Sequence, residues 1–244
     1  VRANQAYGQS IVSYTGTGAA ATVGHGLASA PTMVLVKKRS ATANWAVYHA
    51  SLGNTNTAFL NLNNAASADA DWNNTTPTSS VVSLGAVNRV NGGGSSTYVA
   101  YCFHDVANYS KFGSYTGTGA TGNAITTGFA PAFVMIKWSD GVGGWVMYDN
   151  TRNSFNPVTS RLMADVSDAE TESTALDFDA TGFTVNATGT GMNKNGDTYI
   201  YAAFADTREY AYWLDQSGNN NDWTSNGGLT ESDVMVDSPT NNFA

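Results

Sequence analysis

Apolar residues along this chain alternate with Thr, Ser, Gly and Asn in short runs, which is the pattern of strands buried on one face. Ser10-Ile-Val-Ser-Tyr14 leads into Thr-Gly-Thr-Gly. Thr32 to Lys37 is nearly continuous in apolar residues and predicts a strand covered on both faces. Trp45–His49, a segment around Phe59 and Leu60, Val81–Leu84 and Thr97–Phe103 follow the same rule. So do Ala132–Lys137, Gly144–Asp149, Phe183–Val185 and Thr198–Phe204 further on. Helical periodicity is nearly absent, and Ser167–Leu176 alone predicts a short helix or, equally, an acidic loop. Asn91-Gly-Gly-Gly94 and Asn195-Gly-Asp197 precede matching strands and read as turns that need positive φ.

The segments come in two series. Ser13-Tyr-Thr-Gly-Thr-Gly-Ala19 recurs as Ser114–Ala120, 101 positions on (114 − 13). Pro31–Lys37 matches Pro131–Lys137, Trp45-Ala-Val-Tyr48 matches Trp145-Val-Met-Tyr148, and Thr97–Phe103 matches Thr198–Phe204. Self-similarity at a fixed period means a duplicated structural unit. The expected fold is all-β: two tandem antiparallel β-sandwich repeats of jelly-roll type over residues 1–112 and 113–209, then an irregular C-terminal linker over 210–244.

Charged residues are only 12% of the 244, so neutral hydroxyls and amides supply the polar faces. That composition suits strands and turns better than exposed helices. The net charge of −8 is unevenly spread. Six Lys/Arg face three Asp/Glu in residues 1–112, whereas five face eleven in residues 113–209. An acidic total disfavours nucleic acid, and the one basic run, Lys37-Lys38-Arg39, reads as a solvated strand end. No apolar run approaches the roughly 20 residues of a membrane span, so membrane insertion is not expected. The first residue is Val1 and no signal peptide opens the sequence, which suggests a processed chain or an excerpt. Cys102, the sole cysteine, stands where the second copy has Ala203, as a small buried side chain would.

Catalytic chemistry is hard to place. His25, His49 and His104 have no histidine counterparts in the second copy, lack metal-ligand spacing, and read as surface or packing residues. The carboxylates Asp165, Asp168, Glu170, Glu172, Asp177 and Asp179 cluster without an equivalent in the first copy. Gly16-Thr-Gly18 and Gly117-Thr-Gly119 lack the Lys-Ser/Thr of a phosphate loop. The chain is therefore expected to be no enzyme and to need no cofactor. Trp45/Trp145 and Tyr48/Tyr148 are shared and predict core or inter-sheet anchors. Trp72 with Asn73, and Trp138 with Asp140, lie in polar contexts. An indole beside amides and carboxylates can bind a sugar, or pack on a neighbouring domain or subunit. Asp215, Asn219, Asn221 and Asp222 carry the oxygen ligands Ca²⁺ takes, or belong to an Asn/Gly turn system.

The doubled S-Y-T-G-T-G-A, the paired Pro31/Pro131 strands, the W-x-x-Y pairs and the T-Y-I/V strands together resemble a tandem domain family of tailed-bacteriophage virion and tail-fibre-like proteins. The stretch from Asp215-Gln-Ser-Gly to the terminal Asn-Asn-Phe-Ala244 is similar to the junction that precedes SPRY-like or lectin-like domains in such proteins. The resemblance implies a virion-located structural module of a fibre or appendage. It also implies a homotrimer, other virion proteins as partners, and host cell-surface glycans as ligands. A capsid-surface decoration protein is the alternative, and a polysaccharide depolymerase a third.

Overall fold

The computed structural model describes residues 1–205, the side chain of Thr174 apart, and these form one compact unit. The first repeat contributes β1 (Arg2–Asn4), β2 (Gln9–Thr15), β3 (Ala21–Gly24), β4 (Met33–Lys38), β5 (Ala46–His49), β6 (Asn56–Phe59), β7 (Ser67–Ala68), β8 (Val81–Leu84) and β9 (Thr97–Phe103). The second contributes β10 (Ser110–Thr116), β11 (Asn123–Thr126), β12 (Pro131–Trp138), β13 (Trp145–Asp149), β14 (Val158–Met163), β15 (Thr171–Asp179), β16 (Gly182–Val185) and β17 (Thr198–Ala205). A 3₁₀ turn at Ala50–Leu52 and the short helix α1 (Asn88–Asn91) are the helical elements among the described residues. All ladders are antiparallel, so the expected all-β tandem sandwich is what the chain forms.

In the first repeat a seven-stranded sheet runs β1-β2-β9-β4-β5-β6-β7, faced by the separate pair β3-β8. The second repeat joins the same parts into one sheet, β10-β17-β12-β13-β14-β15-β16-β11, which curls almost into a barrel. The difference lies in β15. Its nine residues pair with β14 on one side and β16 on the other, where the first repeat has only the two-residue β7. The short helix or acidic loop expected over Ser167–Leu176 is therefore a strand from Thr171. Two partner ladders satisfy its backbone, and tertiary pairing overrides weak local preference. β10 belongs to the second sheet, so the first repeat ends before Ser110 rather than at 112.

Each repeat has its own core. Val12, Val34, Val36, Tyr48, Trp72, Tyr98, Ala100 and Cys102 fill the first. Tyr115, Val134, Ile136, Tyr148, Leu176, Phe183, Tyr199 and Tyr201 fill the second. Strand alternation then sends a second set outward, and there a third cluster forms. Met33, Val47 and Ala58 of the first repeat pack against Phe112, Trp145, Ile200 and Ala202 of the second. The two sandwiches are thus joined outer face to outer face. This is why β4 and β12 read as apolar on both sides: one side faces the repeat's own core and the other faces the seam or its flank.

Candidate functional site

The doubled Ser-Tyr-Thr-Gly-Thr-Gly-Ala motif is a fastening, built identically twice. Tyr14 and Tyr115 end their strands by donating hydroxyl protons to the carbonyls of Val90 and Met192, each at 2.6 Å. Each ring also stacks on a tyrosine of the neighbouring strand, Tyr14 on Tyr98 and Tyr115 on Tyr199, with centroids 5.1 Å apart in both. Beyond the tyrosine, the amide of Thr17 donates to Asn91 Oδ1 and that of Thr118 to Asn193 Oδ1, both at 2.8 Å. A Cβ on Gly16 or Gly117 would lie 2.1 Å from the carbonyl oxygen of Gly92 or Lys194, so only glycine permits this approach. The glycines close the open end of each sandwich rather than cradle an anion.

The seam between the repeats holds the more unusual chemistry. Trp145 Nε1 donates to the Phe59 carbonyl at 2.8 Å, and the Gly143 amide to Asn63 O at 2.8 Å. Lys137 has no exposed surface, and its ammonium donates to the carbonyls of Trp138, Gly143 and Asn63. Burial pushes its pKa down to about 8, with Asp165 acting in the opposite direction. His49 accepts the Ser51 amide on Nδ1, which leaves Nε2–H to donate across the seam to Tyr201 O at 3.2 Å. Burial lowers its pKa to about 4.

The other histidines are also buried. His25 Nδ1 accepts the Leu27 amide, and its Nε2 donates to Thr78 O. His104 Nδ1 donates to Asp105 O. They are packing residues rather than surface ones. The expected solvated run Lys37-Lys38-Arg39 is solvated only in part. Lys38 points inward to Asn88 Oδ1 at 2.8 Å, with its Nζ 6.0 Å from the Tyr98 ring centre.

Trp72, read from the sequence as a sugar platform or as a packing side chain on a neighbouring domain or subunit, lies wholly inside the first core, edge-on to Tyr48 at 5.6 Å. Its segment connects β7 and β8, which no ladder joins, and the indole shares the first core with Val82 and Leu84 of β8. Asp71 anchors the segment from within through Arg89 Nε at 2.8 Å, and burial raises its carboxyl pKa against the pull of Arg89. Asn73 remains exposed at a turn with φ of 50°, separated from any free indole face. Trp138 is half-buried, stacked on Tyr199, with Lys194 Nζ 5.2 Å from its ring centre and the Gly141 loop against the ring. Exposed Asp140 accepts the Thr198 amide at 2.6 Å. This corner is occupied by its own loops. The candidate Ca²⁺ ligands Asp215, Asn219, Asn221 and Asp222 lie outside the described residues.

Five of the six carboxylates of the acidic segment also have partners. Asp165 accepts the Trp145 amide, Glu172 the Ser160 hydroxyl, Asp177 the Asn186 amide group and Asp179 the Thr184 hydroxyl, while Glu170 pairs with Arg152. Among the described residues no three His, Cys, Asp or Glu side chains are grouped to hold a metal. No helix of the described residues is long and apolar enough to cross a membrane.

One open cleft, of about 360 Å³, carries ligand-type chemistry that sequence reasoning missed. Phe155 stands 84% exposed at its edge, with Asn150, Ser154, Val158 and Phe178 around it. Asn153 and Asn156 are committed to backbone partners, the first to the Thr159 and Ser160 amides and the second to both backbone groups of Phe178. They hold the loop in shape, and Asn150, Ser154 and Asp179 line the cleft beside it. A bare ring beside an amide, a hydroxyl and a carboxylate can stack on the apolar face of a sugar and bond its hydroxyls. The available signal was an unmatched Phe within Asn-Ser-Phe-Asn-Pro, where the first repeat has only small polar residues.

No curated protein and no solved structure matches this chain. A family model described as a domain of unknown function matches residues 1–208, spanning both repeats and the seam. The chain belongs to that family, DUF7483.

Proposed function

We propose that the protein is a non-enzymatic structural module of a bacteriophage appendage that displays a glycan-contacting surface to the host. The observation that carries this reading is the seam. Seven large or small apolar side chains and the bonds of Trp145, Lys137 and His49 weld two sandwiches into one body, as suits a spacer that must transmit position. The Phe155 cleft supplies a weak sugar contact that many copies on a particle would strengthen. The low charge content fits an exposed virion surface.

Immunogold labelling of virions with an antibody against the chain tests the location. Gold on the tail or radiating fibres is the expected result. Gold over the head would favour a capsid decoration role instead, and gold absent from particles would overturn both. Release of reducing ends from host polysaccharide by the purified chain would overturn the non-enzymatic part.

A further inference from the structure

The two repeats share a fold but not a fate at the seam, and among the described residues that asymmetry leaves two matching surfaces uncovered. On the first repeat the seam uses Met33, Val47 and Ala58, on the β4, β5 and β6 side. On the second it uses Phe112 of β10, Ile200 and Ala202 of β17, and Trp145 at the start of β13. The contact is therefore heterologous: its fully buried residues are non-equivalent in the two repeats, while the pairs Leu35/Met135, Leu60/Ala164 and Phe103/Phe204 flank it from both sides. Each repeat leaves only half-buried or exposed the counterparts of the fully buried seam residues that the other supplies.

Those counterparts keep their apolar character. In the first repeat the equivalents of Phe112, Ile200, Ala202 and Trp145 are Ile11, Val99, Tyr101 and Trp45. Ile11 is 51% exposed, and the other three are half-buried with no repeat over them. In the second repeat the equivalents of Met33, Val47 and Ala58 are Phe133, Met147 and Leu162, all half-buried. The loop equivalences hold in detail. Asn61 Oδ1 accepts the Trp45 amide just as Asp165 Oδ1 accepts that of Trp145, and Leu60 and Ala164 donate to the same two tryptophans' carbonyls. By that register Ser167 stands where Asn63 does, and Ala43 where Gly143 does.

The charges are complementary as well. The uncovered half of the first repeat carries Arg2 in register with Ile11, together with Lys37 and exposed Arg39, and no carboxylate pairs with any of them among the described residues. The second repeat's loop that follows β14 carries Asp165, Asp168 and Glu170. In the seam, that loop's counterpart meets Lys137 through Asn63. An interchain copy of the seam would bring Lys37 to the acidic loop.

We propose that copies of this chain associate head to tail, the uncovered half of one copy's first repeat seating on the uncovered half of the next copy's second repeat, in the geometry of the seam. Such a contact uses different patches on its two sides, so it closes into a ring or runs on as a filament according to the rotation per step. It stands independently of the phage reading, which fixes a location and not a contact.

The test is a disulfide trap in the full chain. Within the chain, Gly143 N bonds Asn63 O at 2.8 Å, a spacing that puts Cα atoms within reach of a disulfide. The interchain counterparts are Ala43 and Ser167, both at surface-accessible loop positions. The double variant Ala43→Cys/Ser167→Cys, oxidised, is expected to give a ladder of covalent dimers, trimers and larger species. The native thiol of Cys102 stays silent, because it is buried and its pKa is pushed up to about 12. Sedimentation velocity of the unmodified chain from about 1 to about 200 µM should show growing assemblies, with Trp45→Ala/Arg39→Glu weakening them roughly tenfold or more. A monomer throughout that range with no ladder overturns the proposal. So does equal cross-linking by either single cysteine variant, which would mean a symmetric contact. Saturable binding of polygalacturonate or single-stranded DNA to the Trp45 face of a monomeric chain would assign the surface elsewhere and overturn it too.

Discussion

Asn91 and Asn193 make the same hydrogen bonds in the two halves of the molecule, each accepting a threonine amide at 2.8 Å and donating to an alanine carbonyl two residues on, Ala19 at 2.6 Å and Ala120 at 2.7 Å. Neither belongs to the Tyr-Thr-Gly-Thr-Gly motif it fastens, so the repeated signature is only half of a two-part clasp. Asn193 also donates to Ala187 O and accepts from Asn123, and it is wholly buried. Asn193→Ala should cost about 2 kcal/mol, because its own side chain is wholly buried and three part-buried backbone groups lose their partner. Asn91→Ala, with fewer partners, should cost less. Urea unfolding of both variants measures the difference, and equal costs would contradict it.

The clasp glycines should be intolerant for a steric reason alone. Gly117→Ala brings a methyl 2.1 Å from the Lys194 carbonyl oxygen, which the Asp197 amide holds in place, and should destabilise by more than about 2 kcal/mol. Gly189→Ala, where a Cβ meets nothing within 4 Å, should stay within about 0.5 kcal/mol of the parent. A melting-temperature comparison of the two decides it.

Two buried tryptophans should respond differently to loss of the indole nitrogen. Trp145→Phe removes the N–H that satisfies Phe59 O in the seam. Trp72→Phe removes an N–H that has no protein partner. Beyond the shared loss of packing, the Trp145 change should therefore cost about 1 kcal/mol more. Chemical denaturation curves give both values on the same scale.

His49 makes the seam sensitive to acid. Its folded pKa, about 4, lies below the ordinary 6.5, so between those values the unfolded chain binds the extra proton. The stability it contributes is complete above about pH 6.5 and is lost as pH falls through 4. By then the loss amounts to about 3 kcal/mol. His49→Asn, which keeps an acceptor for the Ser51 amide, should flatten the dependence of unfolding free energy on pH across that window. An unchanged slope would place the acid sensitivity elsewhere.

Much of this architecture was legible before folding. Val81–Leu84 and Thr97–Phe103 have the bounds the sequence predicts, and in the second burial alternates residue by residue as a two-residue period requires. Phe155 was not legible, since a lone aromatic in a polar loop gains its meaning only when Asn153 and Asn156 shape the cleft beside it. Trp72 misled because its neighbours are polar, and the burial of one of them, Asp71, depends on Arg89, 18 positions away.

Sequence alone determined the strand pattern, the duplication and the turns, since these rest on short-range periodicity and on the conformational freedom of glycine. Only the tertiary structure decided which member of each duplicated pair would be buried. Trp45 and Trp145 are equivalent in sequence, yet one lies half-open on a sheet and the other under the neighbouring repeat. Burial is a property of what lies opposite a residue, and identical halves joined by different faces cannot give equivalent residues the same surroundings.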